Sequence, residues 1–242
     1  MSASDRGSSP PRPTGVARAT RTFRIVLATA IAWCATSAVG EERAFAGDPA
    51  VDVGETLAAV ARARKTQKSL VAKFTQERTI GLLASKVKST GTFTFVAPDR
   101  LRWDLDAPDD ASYWVLPEGV SYRTKTSSGT VPKVTAKVGE SLDDVRALLG
   151  GDLERLRTRY DLTATKDDHG NVTIDARPRV GVAETSKTRA LTLTLASDLR
   201  TPVRAVVVEG PKDRTDIVFT AVKKDVDVPA EVTRPPKDAS RP

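Results

Sequence analysis

From residue 79 to residue 222 the chain keeps returning to one pattern: short runs in which apolar and polar residues alternate, separated by turn residues. Alternation sends successive side chains to opposite faces, so each run builds a strand with one apolar and one polar side. The spacing predicts strands near 79–88, 91–96, 101–105, 112–116, 120–124 and 131–135, then near 160–166, 171–177, 189–195, 203–209 and 215–222. Pro117-Glu118-Gly119 and Ser127-Ser128-Gly129 carry hairpin chemistry, and "DDHGN", "SDLRTP" and "EGPKD" supply later connectors. About eleven antiparallel strands in one domain must close, nearly close or stack as a sandwich, because open edges invite aggregation. A single curved sheet of this kind has an apolar concave face that needs a cover.

Two helical stretches offer that cover. Gly54 to Glu77 has no proline and many strong helix formers, and Leu57, Val60, Ala61, Val71 and Phe74 fall on one stripe at a 3.6-residue period. Arg64 and Gln67 interrupt the stripe, which predicts a helix on a surface or over an opening. In "ESLDDVRALLGGDLERLRTRY", Ser141 and Asp144 form a capping box and Leu142, Val145, Leu148 and Leu149 a helical stripe. Gly150-Gly151 ends that helix, and a second short one is expected from Asp152 to about Arg157.

Ahead of all this lies a leader. Residues 1–24 carry Arg6, Arg12, Arg18, Arg21 and Arg24, an apolar run follows from Ile25 to Val39, and Ala38-Val39-Gly40 and Ala44-Phe45-Ala46 offer small-residue cut sites. That order reads as a secretory signal spanning residues 1–46, cleaved after Gly40 or Ala46. The apolar run falls short of the roughly 20 residues that span a bilayer. Cys34, the only cysteine, follows the bulky Trp33, which does not suit lipid attachment, and cleavage would leave a thiol-free chain. Residues 1–46 hold six of the 38 basic and three of the 31 acidic residues, so the remainder carries 32 minus 28, or +4. Those charges are interspersed, and no aromatic–basic motif or recognition helix is visible, which excludes nucleic acid as a partner. The proline-rich end, "KKDVDVPAEVTRPPKDASRP", is expected to finish in a disordered tail at 237–242.

The chemistry-bearing residues are few. His169 is the only histidine and sits in a polar turn, and Asp104, Asp106, Asp109 and Asp110 lie where a strand ends and a turn begins. Neither set makes a metal site or a carboxylate pair. Nucleophile elbows, Walker loops and dinucleotide fingerprints are missing from the sequence. The expectation is no catalytic residue, no metal and no cofactor, hence no enzyme. Binding remains. In "FTFVAPDRLRWDLDAP", residues 93–108, Phe93 and Phe95 share one strand face and Leu101, Trp103 and Leu105 share another, in a chain with only six Phe, three Trp and three Tyr.

These residues resemble the periplasmic lipoprotein carrier family (LolA-like). The similarity runs through Phe74 and Gln76, Gly91 with Phe93 and Phe95, Pro98, Leu101 with Trp103, Pro108 and Glu118-Gly119. It continues weakly at Phe219, Val228-Pro229 and Pro235-Pro236. The resemblance implies a mainly β (α+β) fold in which one curved antiparallel sheet forms an unclosed barrel lidded by helices. Residues 47–236 would form this carrier domain, and its apolar interior would take up acyl chains. Phe93, Phe95, Leu101, Trp103 and Leu105 would line the cavity, with Leu57, Val60, Val71 and Phe74 on the lid. The implied partners are an acylated lipoprotein or lipid cargo, an inner-membrane donor complex and an outer-membrane acceptor, with the carrier acting as a periplasmic monomer. The family arginine that precedes the first proline, linked to lid opening and release, is replaced by Ala97, and Arg100 and Arg102 do not match its position. Two other readings stand beside the carrier: a sensor or regulatory envelope module of the same half-barrel type, and a structural secreted β domain.

Overall fold

In the computed structural model, which describes residues 49–81, 85–132, 144, 147, 153–186 and 188–236, the alternating runs pair into a single sheet. Its strands are β1 (Ala50–Val51), β2 (Ser69–Ile80), β3 (Ser85–Val96), β4 (Arg100–Leu105), β5 (Ala111–Leu116) and β6 (Gly119–Arg123). They continue as β7 (Ser128–Pro132), β8 (Tyr160–Lys166), β9 (Val172–Pro178), β10 (Ala190–Leu195), β11 (Pro202–Val208) and β12 (Arg214–Lys224). Three helices are described: α1 (Val53–Arg64), α2 (Leu153–Arg157) and α3 (Val182–Thr185). The strand order is β1-β8-β9-β10-β11-β12-β2-β3-β4-β5-β6-β7, antiparallel throughout, so β1 and β7 end the sheet and it does not close. None of the described helices is long and apolar enough to cross a membrane.

The sheet is organised around the β2–β3 hairpin, whose twelve-residue strands pair without a break from Ser69↔Val96 to Ile80↔Ser85. Leu70, Ala72 and Phe74 turn to the buried side, while Lys73 and Thr75 face solvent. This corrects the expectation of one helix from Gly54 to Glu77. Helix α1 stops at Arg64, and Val71 and Phe74 belong to a strand. The residues of 69–77 are adequate helix formers, and Val71 and Phe74 happen to fit a helical stripe. Two flanking strands, β3 and β12, satisfy the whole backbone ladder of β2, and that pairing outweighs a weak local propensity. The strand expected at 79–88 therefore straddles the β2–β3 turn. Among the described residues twelve strands replace the expected eleven, partly because the short β1 pairs with β8 through Ala50↔Thr165 and Val51↔Ala164. Gly129 lies inside β7; the turn before it is closed by Thr124, whose N–H donates to the Ser127 carbonyl at 2.8 Å.

Helix α1 starts where Asp52 accepts the Glu55 N–H at 2.7 Å, a cap worth about 1 kcal/mol. Leu57 and Val60 bury its inner face in the core alongside α2 and β8. At its last turn the Arg64 guanidinium is buried and donates to the Leu199 carbonyl at 3.2 Å. Burial pushes that group down to about 10, with Asp198 opposing the shift. Gln67 lies beyond the helix and accepts from Arg200, so the two residues that interrupt the stripe join the β10–β11 turn. The short helix expected from Asp152 is seen as Leu153–Arg157, and α3 had no counterpart among the expected elements. Residues 1–46, most of 141–149, the end of the 131–135 strand and the 237–242 tail lie outside the described residues.

After β12 the chain crosses the convex face as a strap. The Ser69 hydroxyl donates to the Val226 carbonyl, and both the Arg102 guanidinium and the Trp114 indole donate to the Val232 carbonyl, at 3.0 and 3.2 Å. Thr233, within the strap, is buried.

Candidate functional site: the concave face

Direct pairing fixes which side chains share the concave face. Phe74 pairs with Gly91 and Phe219, Phe93 with Trp103, and Phe95 with Leu101. Residues directly opposite in antiparallel strands point the same way. The Phe74 and Trp103 ring centroids lie 4.2 Å apart, and Phe93 meets Trp103 edge-on at 5.7 Å and Phe219 at 5.8 Å. The rings form one cluster in contact with itself. Phe74, Phe93, Phe95 and Leu101 are buried, whereas Trp103 and Leu105 are half-buried and carry the apolar surface out to solvent.

A glycine makes room for this cluster. A Cβ on Gly91 would stand 1.9 Å from the Asp104 carbonyl oxygen and 2.5 Å from Phe74 Cζ, so the Phe74 ring lies in space that any other residue would fill.

All five residues expected to line the cavity, Phe93, Phe95, Leu101, Trp103 and Leu105, lie on the concave face. Leu57 and Val60 lie on α1 and are buried in the core. Phe74 belongs to the floor, on β2, and Val71 points to the convex side, paired with Thr94. A lid position for either is thereby corrected. Phe219, named in the sequence only for its likeness to the closing strand, and Tyr113 and Tyr122 are not among the expected lining residues. The alternation in β5 and β6 marks the two tyrosines as same-face residues of their strands, but only the hairpin registers align them with Trp103.

The arginines of β4 face away. Arg102 lies 5.1 Å over the Trp114 ring on the convex side and pairs with Asp104 at 2.9 Å, and Arg100 is exposed. Ala97 packs against the core edge and donates its N–H to the Lys68 carbonyl. Neither arginine can therefore serve the concave face in place of a residue before Pro98. At the opposite end of the covered region, Tyr160 donates its hydroxyl to Asp144, which Arg159 also contacts at 2.7 Å. Burial and the neighbouring carboxylate push the Tyr160 hydroxyl up, so it stays a neutral donor.

His169 sits in its exposed turn, where Asp167 accepts the backbone N–H groups of His169 and Asn171. That carboxylate is engaged in shaping the turn. Among the described residues no group of three or more His, Cys, Asp or Glu side chains is placed to hold a metal.

Solved structures with a similar chain path share little sequence with this one. An uncharacterized conserved protein from Thermus thermophilus is 12% identical, with a TM-score of 0.47 over 77% of this chain and 96% of that one. The MucA/MucB complex of Pseudomonas aeruginosa gives 16% identity and a TM-score of 0.45, over 77% and 62%. A LolA superfamily protein from Nitrosomonas europaea gives 9% and 0.41, over 76% and 98%. No curated protein sequence matches. The family assignment rests instead on a family model, described as outer membrane lipoprotein carrier protein LolA, that matches residues 65–232. Those residues include every strand from β2 to β12, the ring cluster and the strap up to Val232. With well over half of its length matched, and with the unclosed, helix-covered sheet in place, the chain belongs to the LolA family.

Proposed function

We propose that this protein is a periplasmic carrier that takes up the acyl chains of lipoproteins, or of related acylated lipids, on its concave face and moves them towards the outer membrane. Residues 1–46 would direct export, and an inner-membrane donor and an outer-membrane acceptor would exchange cargo with residues 47–236. The observation that carries this reading is the ring cluster with its half-buried Trp103. It offers a continuous apolar path from solvent to the core, floored by a sheet and free of charged side chains on β4–β7.

Magnitudes favour exchange of contacts over a permanently filled core. Aromatic contacts contribute about 0.5–1.5 kcal/mol each beyond burial, so opening the cluster costs a few kcal/mol. A long acyl chain offers about 0.8 kcal/mol per buried methylene, on the order of 10 kcal/mol gross. Ordering the lipid and shifting the cover offset part of that, which leaves an affinity from which cargo can be released. Uptake in this scheme moves Trp103 off Phe74 and places the acyl chain between them.

The test is extraction of the exported protein followed by mass analysis of bound lipid. Wild type should yield acylated species and a folded Trp103→Asp variant should yield none. Wild type without any acylated species, or a fully loaded Trp103→Asp variant, would contradict the proposal.

A further inference from the structure

One row of the concave face continues past the ring cluster towards the edge of the sheet. Phe93, Trp103, Tyr113, Tyr122 and Gly129 stand directly opposite one another across β3, β4, β5, β6 and β7. Burial falls along the row: Phe93 is 1% exposed, and Trp103, Tyr113 and Tyr122 are half-buried. The row also changes character, from hydrocarbon rings to rings that carry a hydroxyl. Gly129 beds the last of them, since a Cβ there would lie 3.0 Å from Tyr122 Oη and 3.1 Å from its Cε1. Among the described residues neither the Tyr113 nor the Tyr122 hydroxyl has a hydrogen-bond partner, whereas Tyr160 gives its hydroxyl to Asp144.

Charge narrows what these rings can meet. All concave-facing residues of β4–β7 are uncharged. The nearby guanidiniums of Arg102 and Arg123 lie on the convex side, over the Trp114 ring at 5.1 and 6.0 Å. Among the described residues of β4–β7, a phosphate head would find no cation on this face. A neutral ring with an apolar C–H face and a hydroxylated rim fits both halves of each tyrosine, stacking on the ring and hydrogen-bonding to the free hydroxyl.

We infer that Tyr113 and Tyr122 form a head-group subsite for the sugar ring of a neutral glycosylated acyl lipid. This rests on the carrier reading: the acyl chains occupy the Phe74–Trp103 region and the sugar lies at the outer end of the same row. The subsite adds cargo selection to a cavity that would otherwise distinguish lipids only by chain length.

The experiment compares three lipids with identical acyl chains: a monoglucosyl diacylglycerol, a phosphatidylglycerol and a diacylated cysteinyl lipopeptide. Binding to the exported protein is read by displacement of a fluorescent fatty acid. The glucosyl lipid should bind about tenfold more tightly than the other two, equivalent to about 1.4 kcal/mol. Tyr113→Leu/Tyr122→Leu should erase that preference, so that the glucosyl lipid binds no more tightly than phosphatidylglycerol. Tyr122→Phe, which keeps the ring and loses only the hydroxyl, should erase part of it and guards against misfolding of the double variant. Equal binding of all three lipids, or a preference that survives the double variant, overturns the subsite while leaving the carrier intact. A tyrosine-dependent preference for the lipopeptide replaces the sugar with a peptide head and overturns the assignment. Failure to bind any of the three overturns the carrier reading and the subsite together.

Discussion

The two halves of the sheet solve the same burial problem differently. On one side, β9 and β10 turn inward Ile174, Ala176, Leu191, Leu193 and Leu195, all at 0–1% exposure, and none of β8–β11 holds a glycine. Across the sheet, β2–β7 turn inward large rings, two of which lie over glycines on the facing strand, and the outermost rings remain half in solvent. Branched aliphatic side chains interdigitate and leave little unfilled space. The rings of the cluster meet one another through face and edge contacts, each worth about 0.5–1.5 kcal/mol beyond burial. One half is filled by small and branched aliphatic side chains and the other by rings, and the proposed carrier would exchange contacts in the second.

That contrast can be broken by substitution. Leu193→Ala should cost about 2–5 kcal/mol, because the void lies in a fully covered region. The folded fraction should still load lipid, as read by thermal melting beside lipid extraction. Loss of loading from the folded fraction would show that the halves are not separable. Gly91→Ala should cost about 3 kcal/mol, since the new Cβ meets a backbone carbonyl and a ring together. It should also reduce loading, by pushing Phe74 away from its bed. Trp103→Ala should cost only about 2 kcal/mol, as the side chain is half-buried, yet reduce loading at least tenfold. A reversed order, with Trp103 costing more stability than Leu193, would refute the distinction.

The smallest effect concerns acid. Burial works to raise the Asp198 carboxyl, but hydrogen bonds from Lys224, Thr201 and Arg200 outweigh it and hold it well below its ordinary 3.8. Asp216 is lowered chiefly by its hydrogen bonds from Arg204. Folded-state values below the unfolded ones mean that these groups stabilise the fold above about pH 3.8 and that the contribution fades as pH falls further. Stability of Asp216→Asn should therefore depend less on pH below 4 than that of wild type, measured by denaturant melts. An unchanged slope would remove Asp216 from the account.

Much of the exchanging half is legible in the residue pattern alone. Alternation places Phe93 with Phe95 and Leu101 with Trp103, and one short turn at Pro98 leaves little freedom in how the two strands can pair. What stays hidden needs long-range information. The β2 strand has outward residues that also favour helices, so its identity emerges only from its pairing with β3 and β12. Phe219 reaches the cluster from a strand far away in sequence, and Tyr113 and Tyr122 align with Trp103 only through two hairpin registers. The strap's docking is hidden too, because its anchors, the Ser69 hydroxyl on β2 and the Arg102 and Trp114 side chains on β4 and β5, lie far from it in sequence.

Trp103 and Trp114 provide the most direct test, since they lie on neighbouring strands and opposite faces of one sheet. In a Trp33→Phe background, proteins keeping only Trp103 (Trp114→Phe) or only Trp114 (Trp103→Phe, which keeps a ring in the cluster) would be titrated with an acyl lipid brominated midway along its chain, with bound lipid quantified in both. Quenching of Trp103 with Trp114 left bright is the expected result. A lipid that binds while Trp103 keeps its full emission, or that dims Trp114 instead, would contradict uptake on the concave face.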